Sequence, residues 1–458
     1  MELRFERALL PDGLAHQVII EVGAGGRIVA VHRDAGPARG PYLPGLALPG
    51  MPNLHSHAFQ RAMAGCAEVA AAAEGSFWGW RDVMYRFVGR LTPEDVAAIS
   101  AFAYVEMLEA GYTAVAEFHY LHHDLDGGAY PAPAALADAV RGAARATGIR
   151  HLLLPCLYQQ GHFDRRPLGA AQRRFHHATD AFLELVEGLV ARESERERTG
   201  LAIHSLRAVP PESLKAVAAA ARTRALSRPV HIHVAEQSRE VEDCVAAYGR
   251  RPVEFLLEGG YLDTLWCLVH ATHATTAELR GIATAGAVVG LCPTTEANLG
   301  DGRFALDEFL ELGGRFGLGS DSHVSIDPRE ELRTAEYNLR LWRERRVLAA
   351  RPAEPHAGTS LWHDAVAGGA RALGYGAAAL AAGAPADLVL LDTDRAEFAG
   401  VPEAALVDAW IFAPRPGALV SVWVGGEPQV TAGRHRDRDV VERDYRASLA
   451  RLTAEARG

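Results

Sequence analysis

The sequence predicts an α/β protein in which a (β/α)8 TIM-type barrel is joined to a small β-sandwich domain built from both chain ends. Two observations lead to this fold class. Apolar runs of strand length alternate with Ala-rich helical runs through the middle of the chain, and eight such pairs are typical of a barrel. Both ends instead contain strand-like runs, with a Gly-rich turn near the start, so we expect the ends to pack together beside the barrel.

The barrel strands are predicted at apolar runs that are each followed by helix-compatible sequence. In chain order they are LALPGMPNLHSH, YTAVAEFHY, RHLLLPCLYQQ, GLAIHSLRAV, PVHIHVAEQ, LWCLVHATH, AVVGLCPTT and RFGLGSDSHV. Helices are expected to follow, for example over residues 93–111, 211–225 and 328–342. This regular order of strand and helix predicts a parallel sheet that closes on itself.

The 458 residues are too many for one ordinary domain and too few for three. In the small domain, strands are expected at 386–392 and 418–430 as well as near the start of the chain. The predicted segments are 1–47 (first part of the small β domain), 48–365 (metal-dependent catalytic barrel), 366–432 (second part of the small β domain) and 433–458 (charged surface helix).

The composition limits the partners and the compartment. A net charge of -10 argues against general binding to nucleic acid or to an acidic membrane surface. The sequence has no uninterrupted apolar run of about 18 residues, which a membrane-spanning helix needs. Its first residues lack the apolar segment of a signal peptide. Five cysteines without a C-x-x-C motif are typical of free thiols in a reducing compartment, so we expect a cytoplasmic protein.

Titratable side chains lie at the predicted carboxyl ends of the barrel strands, where this fold places its chemistry. They are His55 and His57 on strand one, His204 and Arg207 on strand four, His231, His233 and Glu236 on strand five, His270 and His273 on strand six, and Asp321 on strand eight. Alternate residues of a strand share a face, so His55 and His57 should point the same way. An isolated H-x-H is most simply two polar residues at a strand end, but this many titratable strand ends favour a metal site.

Four motifs, PNLHSH, HIHVAE, LVHATH and GSDSH, occur in this order on the eight units and resemble the amidohydrolase superfamily. In its one-metal deaminases, an H-x-H pair, a strand-five histidine and a strand-eight aspartate hold the ion. The resemblance therefore implies the ligands His55, His57, His233 and Asp321. It selects His233 because the motif places the metal histidine three residues before the glutamate, which leaves His231 a structural residue.

The position of the single lysine bears on the number of ions. Two-metal members of the superfamily often bridge their ions with a carboxylated lysine from strand four. Here strand four carries His204, and Lys215 lies in the helical run that follows. We therefore expect one ion per chain. Three imidazoles, one carboxylate and a water suit Zn²⁺, although the ligand types also allow iron or manganese.

Longer motifs resemble one branch of the superfamily, which hydrolyses N-formimino-L-glutamate to N-formyl-L-glutamate and ammonia in histidine breakdown. They are PGMPNLHSHAFQRAMAG, FWGWRDVMY, EFHY, HSLRAV, HVAEQ and GSDSHVSIDPREELR. In that branch, the residues that match Gln60, Arg81, Tyr120, His204 and Arg207 contact the substrate. The substrate is a dicarboxylate, and arginine binds a carboxylate through two hydrogen bonds as lysine cannot. The resemblance also suggests a homodimer.

The same resemblance implies three catalytic roles. Asp321 would accept a proton from the attacking water as well as ligate the ion. His270 would orient the nucleophile and stabilise the tetrahedral intermediate. Glu236 would carry a proton to the nitrogen that departs as ammonia, a transfer that expulsion of ammonia from an amidine-like carbon requires.

Two alternatives follow from the same residues. An aminohydrolase acting on a heteroaromatic ring such as guanine could share the catalytic groups, but its pocket would favour stacking and amide contacts over Arg81 and Arg207. A non-catalytic relative should have lost a ligand or Glu236, and none is missing. The sequence assigns no role to His273 or His323.

Overall fold

The computed structural model describes residues 1–33, 40–68, 77–223, 227–376, 378–414 and 416–454, without the side chains of 77–79 and 82. The strands are β1 (Glu2–Leu10), β2 (Gly13–Val22), β3 (Ile28–His32), β4 (Tyr42–Pro49), β5 (Met51–Ser56), β6 (Tyr112–His119), β7 (Arg150–Leu157), β8 (Glu197–Thr199), β9 (Leu201–Ile203), β10 (Val230–Val234), β11 (Trp266–His270), β12 (Val288–Leu291), β13 (Arg315–Leu318), β14 (Leu388–Leu391), β15 (Leu419–Val424), β16 (Glu427–Thr431) and β17 (Arg434–His435).

Fourteen α-helices lie within the described residues. They are α1 (Phe77–Val88), α2 (Pro93–Ala110), α3 (Ala135–Thr147), α4 (Thr179–Val190), α5 (Pro211–Ala221), α6 (Ser238–Tyr248), α7 (Pro252–Glu258), α8 (Thr276–Ala285), α9 (Pro293–Leu299), α10 (Leu306–Glu311), α11 (Pro328–Arg343), α12 (Ala357–Ala372), α13 (Leu406–Phe412) and α14 (Arg438–Ala454). None of these helices is both long and apolar enough to cross a bilayer.

The central sheet closes into a parallel barrel, which confirms the main part of the predicted fold. Its strand order is β6-β5-β13-β12-β11-β10-β9-β7-β8, and β6 also pairs with β7. The short strands β8 and β9 flank Gly200 and both run beside β7, so together they supply one of the eight barrel positions. A Cβ at Gly200 would lie 2.9 Å from the carbonyl oxygen of Pro229, so the glycine allows this close approach.

The small domain joins strands from both chain ends, as predicted. Its sheet order is β17-β16-β15-β14-β4-β1-β2-β3, with β4 parallel to β1 and antiparallel to β14. The sheet has its own apolar core, which includes Phe5 and Trp423 in an edge-to-face contact with ring centroids 6.2 Å apart. The two ends of the chain therefore form one hydrophobic unit outside the barrel.

The first predicted strand, LALPGMPNLHSH, is divided between the two sheets. Its first half belongs to β4 of the small domain and its second half to β5 of the barrel, with the break at Gly50. A Cβ at Gly50 would lie 2.3 Å from the side chain of Thr113, so only glycine fits where the chain passes from one sheet to the other. Apolar periodicity cannot reveal such a break, because both halves are buried.

Two helices bear on the predicted segment boundaries. Helix α12 runs through residue 365 and packs closely on the barrel, since a Cβ at Gly369 would lie 3.0 Å from the side chain of Pro52. We therefore propose that the barrel domain ends after α12. The charged helix predicted over 433–458 is described from Arg438 to Ala454, and its Tyr445 stacks on Phe102 of α2 at 4.0 Å.

Candidate active site

Three histidines and one aspartate meet at the carboxyl end of the barrel. His55 is the penultimate residue of β5 and His57 lies just beyond that strand, while His233 is on β10 and Asp321 follows β13. One ligand atom from each lies within 4.8 Å of those of the others, and all four side chains are buried. The Nε2 atoms of His55 and His233 are 3.0 Å apart, and Oδ1 of Asp321 is 3.4 Å from Nε2 of His55. The structure thus brings together the four residues predicted as metal ligands.

The donor atoms of this cluster fit a divalent cation. Nδ1 of His57 donates to the carbonyl of Phe118 and Nδ1 of His233 donates to the carbonyl of His204, both at 2.9 Å. These bonds direct the Nε2 lone pairs toward the centre of the cluster, as in protein metal sites. Burial lowers the pKa of His55, His57 and His233, so the imidazoles are neutral, as metal ligands must be.

A second group of possible ligand atoms overlaps the first. His270, Cys292 and Asp321 also place one ligand atom each within 4.8 Å of one another. Burial raises the pKa of the Cys292 thiol well above its ordinary value. The two groups share Asp321, and the second offers three ligand residues where the first offers four, so the first group is the more complete candidate site.

The other two residues predicted to be catalytic, Glu236 and His270, lie near Asp321. Nε2 of His270 is 3.8 Å from Oε1 of Glu236 and 3.8 Å from Oδ2 of Asp321. Burial raises the pKa of Glu236 to about 7, which suits a group that gives and takes a proton near neutral pH. Burial would lower the pKa of His270, but the carboxylates of Glu236, Glu296 and Asp321 outweigh it and raise that pKa to about 10.

Left-handed backbone at residues other than glycine concentrates around this cluster. Five of the eleven described non-glycine residues with positive φ lie here, namely Ala235 (φ 51°), His270 (φ 69°), Ala271 (φ 50°), Asp321 (φ 45°) and His323 (φ 59°). Such conformations are unfavourable for L-residues by about 1–3 kcal/mol each and persist where the surrounding structure holds them. Here they occur at or just after the carboxyl ends of barrel strands. The strained backbone therefore lies where the side chains of the candidate site leave the barrel.

All five residues predicted to contact substrate line a single cavity together with His57, His233, Glu236, His270 and Asp321. They are Gln60, Arg81, Tyr120, His204 and Arg207. Nε2 of Gln60 donates to the hydroxyl of Tyr120 at 2.9 Å. Burial and the nearby guanidinium of Arg207 lower the pKa of His204 well below its ordinary value, so this imidazole is neutral. The cavity therefore has two cationic residues and several neutral donors and acceptors beside the metal cluster.

Sequence reasoning missed the aromatic wall of this cavity. Trp80, Tyr85, Tyr158 and Phe175 line it, and the Tyr158 ring lies 4.6 Å from that of His204. Tyr158 follows β7, so inspection of that strand end could have found it. Trp80 and Tyr85 belong to the FWGWRDVMY motif, of which residues 77–79 and 82 have side chains outside the described part.

Sequence reasoning also missed a buried carboxylate that holds the H-x-H turn. Glu117, on β6, accepts hydrogen bonds from the Ser56 hydroxyl at 2.6 Å and from the Ala58 amide at 2.8 Å. The imidazole of His323 lies within 3.0 Å of the hydroxyls of Ser56 and Ser320. His323 therefore links the end of β5 to the end of β13 through hydrogen bonds.

The other two histidines predicted at strand ends, His231 and His273, bond to backbone carbonyls. Nε2 of His231 donates to the carbonyl of Ala372, at the end of α12, at 2.9 Å. Nε2 of His273 donates to the carbonyl of Asp301 at 2.8 Å. Both side chains therefore tie elements of the barrel together.

Glu117 should make the stability of the protein fall as pH rises. Burial raises the pKa of this carboxyl from 4.5 to about 7, so the folded state keeps a proton that the unfolded chain releases. Relative to Glu117→Gln, wild type should lose about 3 kcal/mol of unfolding free energy between pH 4.5 and pH 7. Urea unfolding of chelator-treated protein at several pH values measures this difference. The exposed carboxylate of Glu258 supplies the control, Glu258→Gln, and a difference independent of pH for Glu117→Gln would contradict the expectation.

Comparison with known proteins places these features in context. The model of the amidohydrolase family matches residues 46–428. The chain is 48% identical, over 98% of both chains, to a protein of Pseudomonas aeruginosa named formimidoylglutamate deiminase. It is 30% identical to a 5-methylthioadenosine/S-adenosylhomocysteine deaminase of Natronomonas pharaonis, over 90% of this chain and 88% of the relative. A crystal structure of an amidohydrolase from Brucella melitensis superposes with a TM-score of 0.93 at 44% identity, covering 99% of both chains.

Proposed function

This chain belongs to the amidohydrolase family, and from that premise we propose that it hydrolyses N-formimino-L-glutamate to N-formyl-L-glutamate and ammonia. One observation carries the choice of substrate. Arg81 and Arg207 line the same cavity as Glu236, His270 and the candidate metal ligands, so a dicarboxylate can meet the cationic side chains while its other end reaches the cluster. The similarity to the Pseudomonas aeruginosa deiminase supports the same substrate.

The reaction requires water to add to the formimino carbon and the bond from that carbon to the terminal nitrogen to break. When bound, a divalent ion supplies a Lewis acid and lowers the pKa of water to about 7. In our proposal, Asp321 takes a proton from the attacking water and His270 donates to the oxygen that gains charge. Glu236, whose pKa burial raises to about 7, delivers one proton to the nitrogen as water adds. The proton held by Asp321 then reaches the same nitrogen, which leaves as ammonia, while the hydroxyl proton of the intermediate returns to Glu236 and the carbonyl forms.

The experiment that tests this function is a panel of amino- and imino-bearing substrates assayed for ammonia release by the metal-loaded enzyme. N-formimino-L-glutamate should be hydrolysed with the highest kcat/KM, ahead of guanine and of adenine nucleosides. A formimino compound without the two carboxylates should react poorly, because the arginines then have no partner on the substrate. Ammonia release from guanine but not from N-formimino-L-glutamate would favour the ring aminohydrolase instead.

We propose one Zn²⁺ per chain, held by His55, His57, His233 and Asp321. Elemental analysis of the purified protein should give about one transition metal per chain, and His57→Ala should lose it because an imidazole ligand is removed. His16→Ala, which changes an exposed histidine, serves as the control and should retain the metal. Two tightly bound ions per chain, both lost in His57→Ala, would overturn the one-metal interpretation.

We also propose that the protein is a homodimer and lies in the cytoplasm. The family resemblance suggests a homodimer, which sedimentation or light scattering can test. All five cysteines are free, and four of them are buried, which is compatible with the reducing environment of the cytoplasm.

A further inference from the structure

A buried carboxylate that none of the proposed catalytic steps uses lies directly behind His270. Oε1 of Glu296 is 3.2 Å from Nδ1 of His270, on the side of the ring away from Glu236 and Asp321. Both side chains are buried, with exposed fractions of 5% for Glu296 and 1% for His270. A carboxylate next to an imidazole nitrogen in a buried site accepts the ring N–H, because the buried N–H would otherwise lack a partner.

The backbone fixes Glu296 in this position. The residue lies on α9, which begins directly after β12, and its Oε1 also accepts the amide of Cys292 at 2.9 Å. Cys292 is the N-cap residue of α9 and makes no side-chain cap, so the carboxylate satisfies an otherwise open donor at the helix start. Oε1 of Glu296 thus connects the start of α9, just after β12, to the imidazole of His270 at the end of β11.

The consequence for His270 concerns the orientation of its ring. An imidazole ring rotates easily about its last side-chain bond unless one nitrogen is held. When Nδ1 donates to Glu296, Nε2 is the nitrogen that faces Glu236 and Asp321, each 3.8 Å away. We infer that Glu296 is a positioning residue for His270 in the hydrolysis, an inference that rests on the proposed function.

A purely structural role for Glu296, as an anchor of α9, makes different predictions. Glu331 on α11 also anchors α9, because it accepts the Thr294 amide at 2.9 Å and the Thr294 hydroxyl at 2.6 Å. Those contacts do not involve His270. Glu331→Ala is therefore the matched control, because it removes a carboxylate that holds this helix without disturbing the imidazole.

The kinetic test is a double-mutant cycle with Glu296→Ala, His270→Ala and the double variant. Loss of a carboxylate that orients an imidazole typically costs about 10- to 100-fold. We expect Glu296→Ala to lower kcat by about that factor, with the bound metal retained and KM changed less than about threefold. In the His270→Ala background, the same substitution should have little further effect, because the residue it positions is gone. Glu331→Ala should not reproduce the kcat loss.

Glu296→Gln keeps the size of the side chain and protects the test against a folding defect. Its amide oxygen can accept from both Cys292 and His270, so kcat should recover in part. A full additional loss from Glu296→Ala in the His270→Ala protein would overturn the inference. A kcat for Glu296→Gln no higher than the kcat of Glu296→Ala would also overturn the inference.

A measurement without substrate separates this inference from the proposed function. In metal-loaded protein labelled with ¹⁵N-histidine, the Nδ1–H proton of His270 should give a low-field NMR signal that is absent from His270→Ala. The signal should also disappear or move strongly in Glu296→Ala, whatever substrate the enzyme hydrolyses. An unchanged signal in Glu296→Ala would refute the pairing, whereas failure to hydrolyse N-formimino-L-glutamate with the expected signal change would refute only the substrate.

Discussion

Glu236→Gln should lower kcat by about 100- to 10,000-fold and leave the metal in place. The reason is that Glu236 is three residues beyond His233 and outside the group of four candidate ligands, yet lines the cavity near His270. Burial raises the pKa of this carboxyl to about 7, and an amide in its place can neither accept nor deliver the proton that ammonia requires. Steady-state ammonia release together with elemental analysis measures both effects.

The control for Glu236→Gln is the same substitution at Glu242, an exposed residue of α6. Glu242→Gln should keep wild-type kcat and metal content, because its side chain faces solvent. Ammonia release near the wild-type rate by a fully metallated Glu236→Gln protein would contradict the role that we assign to Glu236.

Arg207→Met should reduce kcat/KM for N-formimino-L-glutamate by about 30-fold to several thousandfold. Removing one partner of a buried, hydrogen-bonded charge pair costs about 2–5 kcal/mol, at about 1.4 kcal/mol for each factor of ten. Arg207→Lys should recover only part of the activity, because an ammonium group does not form the two parallel hydrogen bonds of a guanidinium. Arg166→Met, at an exposed site, is the control and should behave as wild type.

The loss in Arg207→Met should depend on the substrate. For an analogue that lacks the carboxylate held by Arg207, wild type gains little from the guanidinium, so the two proteins should differ much less. Bound metal should be unchanged in the variant. Equal losses on both substrates, or loss of metal, would show that Arg207 supports the fold or the metal cluster instead.

The barrel could be predicted from the sequence because its signals are local. Each strand is a short apolar run, each is followed by a helix, and parallel order brings the polar strand ends to one mouth. That reasoning placed His55, His233 and Asp321 among the candidates at the strand ends, and the family resemblance then implied that they are ligands. The structure brings the three together although they are far apart in the chain. Their roles as ligands remain predictions that elemental analysis can test.

What the sequence could not supply are contacts that depend on three-dimensional packing. Glu117 lies inside a strand that reads as apolar, and only the structure shows that its carboxylate reaches the turn after β5. Glu296 lies within a helix, where a glutamate is ordinary, and its link to His270 requires two strand ends to be adjacent. Sequence patterns reveal which face is buried, but not which polar groups meet there.

The division of the small domain between the two chain ends has a consequence for folding during synthesis. Strand β4 has β1 and β14 as neighbours, and β14 begins at Leu388, about 340 residues after β4 ends at Pro49. At about 5–20 residues per second, a ribosome needs roughly 15–70 s to make the intervening chain. During that time one edge of β4 has no partner strand, and an unpaired edge next to an apolar face is prone to aggregation. The nascent chain should therefore need protection at this edge until translation is nearly complete.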